Sequence, residues 1–298
     1  MNIHGVEIED TFAEAFDMTA TRVIITAAEP HWALRAAEAM TGFATSVIGC
    51  GVEAGIEEQL SSDATPDGRP GVAVLMFSVS GNELEKQLVR RVGQCVLTCP
   101  STSVFSGIEG PKKIAMGSKL RYFGDGFQIS KVIGTERYWR IPVMDGEFVC
   151  QDRVSRVSAV GGGNFLVLAD SLQGALQASD AAVQAIRQLR ACITPFPGGV
   201  ARSGSKVGSK YKSMSASTND AFCPTLSELT SSQIPQDCGC RRTGHRWFDP
   251  RKSSPRRCES VFWKRAVGAT CGVRKITGGN YGGKLGKHHF YLHRILKG

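Results

Sequence analysis

Two long apolar runs constrain the fold of this chain more than any other feature of its sequence. RVIITAA (22–28) is rich in β-branched residues, and GVAVLMFSV (71–79) is apolar at nearly every position. Runs of this length and composition predict buried strands. FATSVIGC (43–50) and GQCVLTC (93–99) are similar in character and predict two further strands. The chain is therefore expected to build a sheet with a buried centre.

Three amphipathic helices are predicted among these strands. HWALRAAEAMTG (31–42) has apolar residues at helical spacing and ends on a glycine. In NELEKQLVRRVG (82–93), Asn82 and Glu85 have the spacing of a capping box. A third helix is predicted from about Leu172 to Leu189. The residues predicted to face the core are Trp32, Ala33, Ala36, Ala37 and Met40 in the first helix and Leu84, Leu88 and Val92 in the second.

The middle of the chain, roughly 119–160, alternates β-rich pieces with Gly-Asp and Asp-Gly turns, which predicts antiparallel hairpins. Helices interleaved with antiparallel strands, without a βαβ nucleotide pattern, predict an α+β fold. GGNF (162–165) and GGNY (278–281) form a weak internal echo, which either duplicated lobes or chance would produce.

The positive charge is concentrated in one block. The chain of 298 residues has a net charge of +9. Residues 238–267 hold nine basic and two acidic residues, a net +7, which leaves only +2 for the rest. A general polyanion-binding surface therefore has little support, and no nucleic-acid partner is expected.

Targeting signals are missing from the sequence. No run of about eighteen apolar residues predicts a membrane span, and the N-terminal MNIHGVEIEDTF lacks the features of a secretory signal. A cytoplasmic protein is expected. Its ten cysteines are then predicted to be free thiols.

Two polar loops are candidate binding sites. RSGSKVGSKYK (202–212) places lysines among glycines and serines, which together can bind carboxylates or phosphates, although a solvated loop has the same composition. ASTNDAFCP (216–224) is either a polar recognition loop or the N-cap of a helix.

Charged residues in the first half are weaker candidates. Glu53, Glu57 and Glu58, with Asp67 and Arg69 in TPDGRPG, could act as acid, base or orienting groups, or could be merely solvated. Motifs of zinc proteases, serine hydrolases and dinucleotide-binding enzymes are missing, so no metal site is predicted from them.

Gln94 and Cys95 lie beside a predicted strand. The cysteine is more typical of a core residue than of a nucleophile, because no histidine is near it in sequence.

Eleven segments in order along the chain together resemble the formylmethanofuran–tetrahydromethanopterin formyltransferase family. The matching segments are GVEIEDTFAEAF (5–16), TGFATSVI (41–48), EAGIE (53–57), TPDGRPGV (65–72), GQCVLT (93–98), FGDGFQ (123–128), GGGNF (161–165), PFPGG (195–199), SGSKVGSKY (203–211), ASTNDAFCP (216–224) and ITGGNYGGKLGKHHF (276–290). QISK (128–131), RYWRIPVMDGEFVC (137–150) and LTCP (97–100) are more similar to the bacterial branch.

The resemblance implies two lobes of ferredoxin-like antiparallel sheet packed with helices, a proximal one at 1–150 and a distal one at 151–298. It also implies a cytoplasmic homotetramer, in bacteria associated with a formyltransferase/hydrolase complex of formaldehyde oxidation. The implied reaction moves a formyl group between formylmethanofuran and N5 of tetrahydromethanopterin, both co-substrates, without a bound cofactor, metal or nucleotide. Both carriers have acidic tails. The residues then expected to bind substrate are Ser205, Lys206, Ser209, Lys210, Asn219, Asp220, Glu53, Asp67, Arg69 and Gln94.

The resemblance stops at about 238–270. There the family has a strand of the type Glu-Ile-Val-Ile-(Asn/Asp)-Gly-Leu, followed by a helix, and the glutamate is thought to handle the proton. In this chain Arg241 takes the glutamate's place, so the catalytic residue is unknown. If the sequence is as written, this lobe is expected to lose a strand and a helix face, and transfer to be greatly slowed.

A shift of reading frame would explain the departure. His245–Asp249 read one base later permits Ile-Asp-Gly-Leu-Thr, in which glycine is forced because the tryptophan codon precedes a phenylalanine codon. Arg241 permits glutamate if codon 242 begins with A. The hypothesis is a frameshift restored near residue 270, which resequencing of the gene would test.

Other interpretations of this block remain open. A zinc site would use C-x-C spacing with no paired second half, from Cys238, Cys240, His245, Cys258 and Cys271. A natural basic insertion binding nucleic acid or a partner is a second possibility. A third is a non-catalytic subunit that keeps the carrier-binding surface and lacks the acid.

Overall fold

The computed structural model describes residues 1–235 and 272–297, and the strand 241–249. Its strands are β1 (Asn2–Ile3), β2 (Val6–Ile8), β3 (Phe12–Thr26), β4 (Glu53–Leu60), β5 (Gly71–Ser78), β6 (Ser103–Ser106), β7 (Lys112–Ala115), β8 (Ile129–Ile133), β9 (Glu136–Val143), β10 (Gly146–Gln151), β11 (Arg153–Ala169), β12 (Lys206–Val207), β13 (Ala216–Ser217), β14 (Arg241–Asp249), β15 (Val273–Gly279) and β16 (His288–Tyr291). Its α-helices are α1 (Pro30–Thr41), α2 (Val47–Cys50), α3 (Gly81–Arg91), α4 (Gly117–Leu120), α5 (Leu172–Arg187) and α6 (Leu292–Lys297). Mixed helices and mainly antiparallel strands confirm the predicted α+β class.

The chain forms two compact units. One comprises residues 18–159, and the other combines residues 1–17 with 160–298. The boundary at 159/160 is close to the one predicted at 150, but the first residues join the second half of the chain. They do so because β16 pairs with the start of β3, Phe12 opposite Tyr291.

The unit of residues 18–159 contains a sheet in the order β4–β5–β3–β6–β10–β9–β8. All eight residues of β5 are buried, which confirms the strand predicted from GVAVLMFSV. In α1, Ala33, Ala36, Ala37 and Met40 are buried as predicted. Trp32 was predicted to join them, but it is 38% exposed, because its position lies off the narrow alanine face of the helix.

Two predicted strands in this unit are helical. In 43–50, Ser46 accepts a hydrogen bond from the Ile48 N–H and caps α2, and Gly51 ends it in the left-handed conformation. In 93–99, α3 continues into a π-helical turn, Val92–Val96, closed by a 2.8 Å bond from the Leu97 N–H to the Val92 carbonyl. A short apolar run fits a strand or a buried helix equally well, and the two predictions failed for that reason.

The cap of α3 also differs from the prediction. Ser80 accepts a hydrogen bond from the Glu83 N–H at 3.2 Å, whereas Asn82 lies inside the helix. The true capping sequence therefore begins two residues earlier, and Leu84 and Leu88 are buried as predicted.

Replacing Ser80 with alanine is expected to lower the free energy of unfolding by about 1 kcal/mol, because the cap bond is lost. Asn82→Ala is the matched control and should change it by less than about 0.5 kcal/mol. Denaturant titration of both variants checks this; an equal loss in the two would contradict the assigned cap.

The other unit is built on the second half of β11. That strand pairs antiparallel with β15, and β15 pairs in parallel with β2. The two echo segments are neighbours in this sheet, with Asn164 opposite Gly279. Helix α5, capped by Ser171, packs its alanine-rich face into a core that includes Phe165 and Ile276. The helix predicted over 172–189 is thereby confirmed.

A strand is present where the sequence as written was expected to lose one. β14 (Arg241–Asp249) pairs antiparallel with β11 over Val160–Ala169, with Arg241 opposite Ala169. Strand pairing needs only backbone N–H and C=O groups, which every residue here supplies. The expected loss of the strand was therefore wrong. The proposed zinc ligands at 238, 240, 258 and 271 lie outside the described residues, as does the helix predicted to be missing.

Within the described ranges, no helix is both long enough and apolar enough to cross a membrane. All six cysteines described in those ranges are free thiols.

Candidate functional site

The two polar loops predicted to bind substrate come together in the unit of residues 1–17 and 160–298. Strands β12 and β13 pair antiparallel, with Lys206 opposite Ser217. The Lys206 ammonium lies 2.6 Å from Asp220 Oδ1, and this contact keeps the pKa of Asp220 below its ordinary value. Lys206 and Asp220 thus form a neutral pair at physiological pH.

The other predicted residues of this cluster are close to that pair in the sequence. Ser205 lies directly before β12. Asn219 stands at the start of a short 3₁₀ turn, but its side chain makes no cap hydrogen bond. Ser209 Oγ accepts a bond from the Tyr211 N–H at 3.1 Å. The Lys210 ammonium is 5.5 Å from the centre of the Tyr211 ring, and among the described residues it makes no ion pair. Lys210 is therefore the more accessible cation for an acidic ligand.

A groove of about 460 Å³ lies in the unit of residues 18–159. One face of the sheet β6–β10–β9–β8 forms its floor, since the cross-strand pairs Lys131 opposite Tyr138 and Arg140 opposite Val149 share that face. The lining residues are Pro66, Asp67, Arg69, Ser103, Phe105, Lys131, Ile133, Tyr138, Arg140, Glu147 and Val149. Two predicted residues, Asp67 and Arg69, are among them.

Arg69 is held rigidly at one side of the groove. Its guanidinium donates to Asp67 Oδ2 at 2.8 Å, to the Ser101 carbonyl at 2.6 Å, to Thr26 Oγ1 at 3.0 Å and to Ser103 Oγ at 2.7 Å. Thr26 also donates to Asp67 at 2.8 Å. Such a saturated network orders the turn before any ligand arrives.

The structure places the other predicted residues outside the groove. Glu53 begins β4, is 2% exposed and accepts a 3.4 Å bond from the Val47 N–H. Gln94 is exposed on the π-helical turn. Burial raises the pKa of Cys95, which supports its assignment as a thiol rather than a nucleophilic thiolate. Arg241 starts β14.

The carboxylates of EAGIEEQ have a structural role. Glu57 and Glu58 both contact the guanidinium of Arg22, each at 2.6 Å. Both carboxylates are paired with Arg22, so the structure does not support a role for them as acid or base.

Sequence reasoning missed the strand residues of the groove, chiefly Lys131, Tyr138 and Arg140. The available signal was the two-residue alternation in QISKVI and ERYWRI. It shows which side chains share a face of one strand, but not which strands are neighbours.

Family models match both halves of the chain. Residues 1–143 match the model described as formylmethanofuran-tetrahydromethanopterin formyltransferase. Residues 146–242 and 261–295 match a second model of the same family, described as its proximal lobe. The chain belongs to the formylmethanofuran–tetrahydromethanopterin formyltransferase family.

Relatives of the formyltransferase family align from end to end. The formylmethanofuran–tetrahydromethanopterin formyltransferase of Methylococcus capsulatus is 55% identical, over 99% of this chain and 100% of its own length. One component of the formyltransferase/hydrolase complex of Methylorubrum extorquens is 49% identical, over 99% and 97%. The similarity to bacterial members confirms the branch expected from the sequence.

Solved formyltransferase structures share the fold. A chain of the formyltransferase/hydrolase complex from M. extorquens, in complex with methylofuran, superposes with a TM-score of 0.95 at 49% identity and covers 99% of this chain and 98% of that one. The formyltransferase of Methanosarcina barkeri gives 0.90 at 45% identity, over 99% and 100%.

The family matches bear on two sequence-based interpretations. The name "proximal lobe" belongs to the model of the second half, whereas the sequence-based division gave it to residues 1–150. The match to the second model is interrupted at residues 243–260. That interruption lies inside the block 238–270, where the resemblance was found to stop.

Proposed function

We propose that this chain transfers a formyl group reversibly between formylmethanofuran and N5 of tetrahydromethanopterin in one-carbon metabolism. The observation that carries the proposal is end-to-end similarity, at 55% identity over 99% of the chain, to a relative named for that reaction.

The reaction exchanges one amide bond for another. N5 attacks the formamide carbon, a tetrahedral oxyanion forms, and the C–N bond to the furan amine breaks. N5 loses a proton and the leaving amine gains one. The site must therefore donate hydrogen bonds to the oxyanion and supply an acid. The resemblance assigns the acid to a glutamate on the strand that contains Arg241.

The loop cluster around Lys206 and Lys210 is proposed to receive the acidic tail of a carrier. Its ammonium groups, hydroxyls and the Asn219 amide suit carboxylates or phosphates. The neutral Lys206–Asp220 pair fixes the cluster, and Lys210 provides net charge.

Lys206→Ala and Lys210→Ala are each expected to weaken binding of at least one carrier by about tenfold, because each removes one charge-assisted contact. Lys297→Ala, an exposed lysine in α6, is the control and should leave affinity unchanged. Calorimetric titration with each carrier measures this, and unaltered affinity for both carriers in both cluster variants would refute the assignment.

Assembly and location are further proposals. The relative named as part of a formyltransferase/hydrolase complex supports a role beside hydrolase partners in formaldehyde oxidation. A homotetramer in the cytoplasm, with no nucleic-acid or membrane partner, is proposed from the family resemblance. Co-purification with the partner subunits and light scattering of the isolated chain test these two points.

A second candidate function is favoured by one observation. The family match is interrupted at 243–260, directly after the position of the expected glutamate. A chain that binds carriers and cannot protonate the leaving amine would act as a non-catalytic subunit. An assay of formyl transfer with the purified chain separates the two, since only the enzyme forms N5-formyl product.

A further inference from the structure

Two aromatic side chains, Phe105 and Tyr138, line the groove of residues 18–159. Phe105 and Tyr138 lie with ring centres 6.3 Å apart and planes tilted by 57°. Phe105 is 4% exposed, and Ile133, which also lines the groove, is 60% exposed. Tyr138 lines the same groove and is half-buried. Because Phe105 is buried, the half-buried Tyr138 provides the aromatic surface on which a further ring can pack in an offset or edge-to-face arrangement.

The charges of the groove sum to a single positive charge. Arg140 contacts the Glu147 carboxylate at 2.6 Å, and Arg69 contacts Asp67 at 2.8 Å. Both arginines are therefore neutralised. Lys131 lines the groove and makes no ion pair within the part of the chain that the structure describes. The groove is thus complementary to a monoanion.

The volume indicates what kind of occupant fits. About 460 Å³ falls within the range of roughly 300–1,000 Å³ typical of small-molecule sites. Ile133, Val149 and Pro66 line the groove together with the two rings and the two ion pairs. A concave, mostly apolar cavity with one unpaired cation suits a compact planar ligand.

We infer that this groove binds a planar aromatic group carrying one negative charge, with Tyr138 packing on the ring and Lys131 contacting the anion. Both carriers of the proposed reaction contain a heteroaromatic ring and acidic groups, so the shared chemistry has two sources. The link to a carrier rests on the proposed function, whereas binding of the ring does not.

Pterin-6-carboxylate, a fluorescent planar monoanion, is a suitable probe. Lys131→Gln is expected to weaken its binding about tenfold, and Lys131→Arg to keep it. Tyr138→Leu should weaken it about fivefold, and Tyr138→Phe should keep it. Lys112→Gln, which removes an exposed lysine from β7, is the charge-matched control. Thermal unfolding of each variant verifies the fold. No binding of the probe, or equal binding by all variants, overturns the inference.

A competition experiment identifies which carrier supplies the ring that binds in the groove. Displacement of the probe by tetrahydromethanopterin or by methanofuran supports the inference and identifies the carrier. If neither carrier displaces the probe while the chain transfers formyl groups, the groove is not a carrier site and the proposed function is supported. If a carrier displaces the probe and no transfer occurs, carrier binding in the groove is supported and the proposed function is refuted. All lining residues lie between 66 and 149, so the block 238–270 does not enter this measurement.

A second copy of the chain is the competing occupant. In that case Ile133→Asp would convert an oligomer into monomers in light scattering, and probe binding would be absent from the oligomer. That pair of results overturns the small-molecule assignment. Probe binding with an unchanged oligomeric state supports it.

Discussion

Restoring the family strand in the block 238–270 is expected to raise the rate of formyl transfer at least about a hundredfold over the chain as written. A positioned acid or base contributes about 10²–10⁴ in rate, and in the written sequence arginine stands at both 241 and 242, where the resemblance expects the glutamate. An arginine cannot act as this acid at neutral pH, because the pKa of its guanidinium lies far above 7 and the group keeps its proton. The measurement is kcat for both proteins, made from one gene with and without the one-base shift.

The codons of this block indicate at which position a shifted reading frame would place the glutamate. The family strand has its glutamate four residues before Asn or Asp, and the shifted reading permits Asp at 246, which points to 242 rather than 241. An Arg242 codon of CGA or AGA before Thr243 reads as GAA, glutamate, one base later. A glutamate at 241 needs a strand one residue longer. Two versions of the restored strand, one with glutamate only at 241 and one with glutamate only at 242, test which position counts.

The control for this comparison is carrier binding. The loop cluster of residues 202–224 is outside the altered block, so both proteins should bind the carriers alike. Equal transfer rates in the two proteins would contradict the account and make the glutamate dispensable. An unaltered reading frame in the resequenced gene would remove the frameshift hypothesis.

Removing the Glu14 carboxylate is expected to cost about 3 kcal/mol of unfolding free energy. Glu14 is 1% exposed and accepts backbone N–H bonds from Tyr281 at 2.7 Å, Gly283 at 3.1 Å, Leu285 at 2.7 Å and also from Gly286. Each buried donor left unpaired costs about 1–3 kcal/mol, and water reaching the loop offsets part of this. Glu14→Ala measured by denaturant titration checks the value, with the exposed Glu7→Ala as control.

The same contact predicts a dependence on pH. Burial acts to raise the pKa of Glu14, but the four N–H donors outweigh it and hold the pKa below its ordinary value of 4.5. The stabilisation is therefore complete above pH 4.5 and is lost as pH falls through the lower folded value. Glu14→Gln should flatten the acid side of the stability curve. An unchanged acid limb in that variant would show that Glu14 is not the titrating group.

Regular elements were predictable where periodicity was long. The eight buried residues of β5 and the alanine face of α1 could be read from the order of apolar residues alone. The segments 43–50 and 93–99 were not, since a partly apolar segment of seven or eight residues fits either structure. The deciding contacts are local: the Ser46 cap and the π-helical bond to Val92.

Some residues of the candidate sites could be predicted from the sequence and others could not. Lys206, Lys210 and Asp220 were predicted because polar residues cluster in sequence, and pairing of β12 with β13 keeps them together. Lys131 and Tyr138 were missed because their proximity to Arg69 depends on the order of strands in the sheet. Glu14 and the loop 281–286 lie far apart in the sequence, so no local pattern predicts their contact.

The most direct test of the central claim follows the formyl carbon itself. Formylmethanofuran labelled with ¹³C in the formyl group is incubated with tetrahydromethanopterin and either protein, the chain as written or the frame-corrected one, and the label is followed by NMR. The account predicts that the ¹³C signal moves to the N5-formyl position of the pterin, in proportion to enzyme and faster in the corrected protein. Label that stays on the furan amine with both proteins would contradict it.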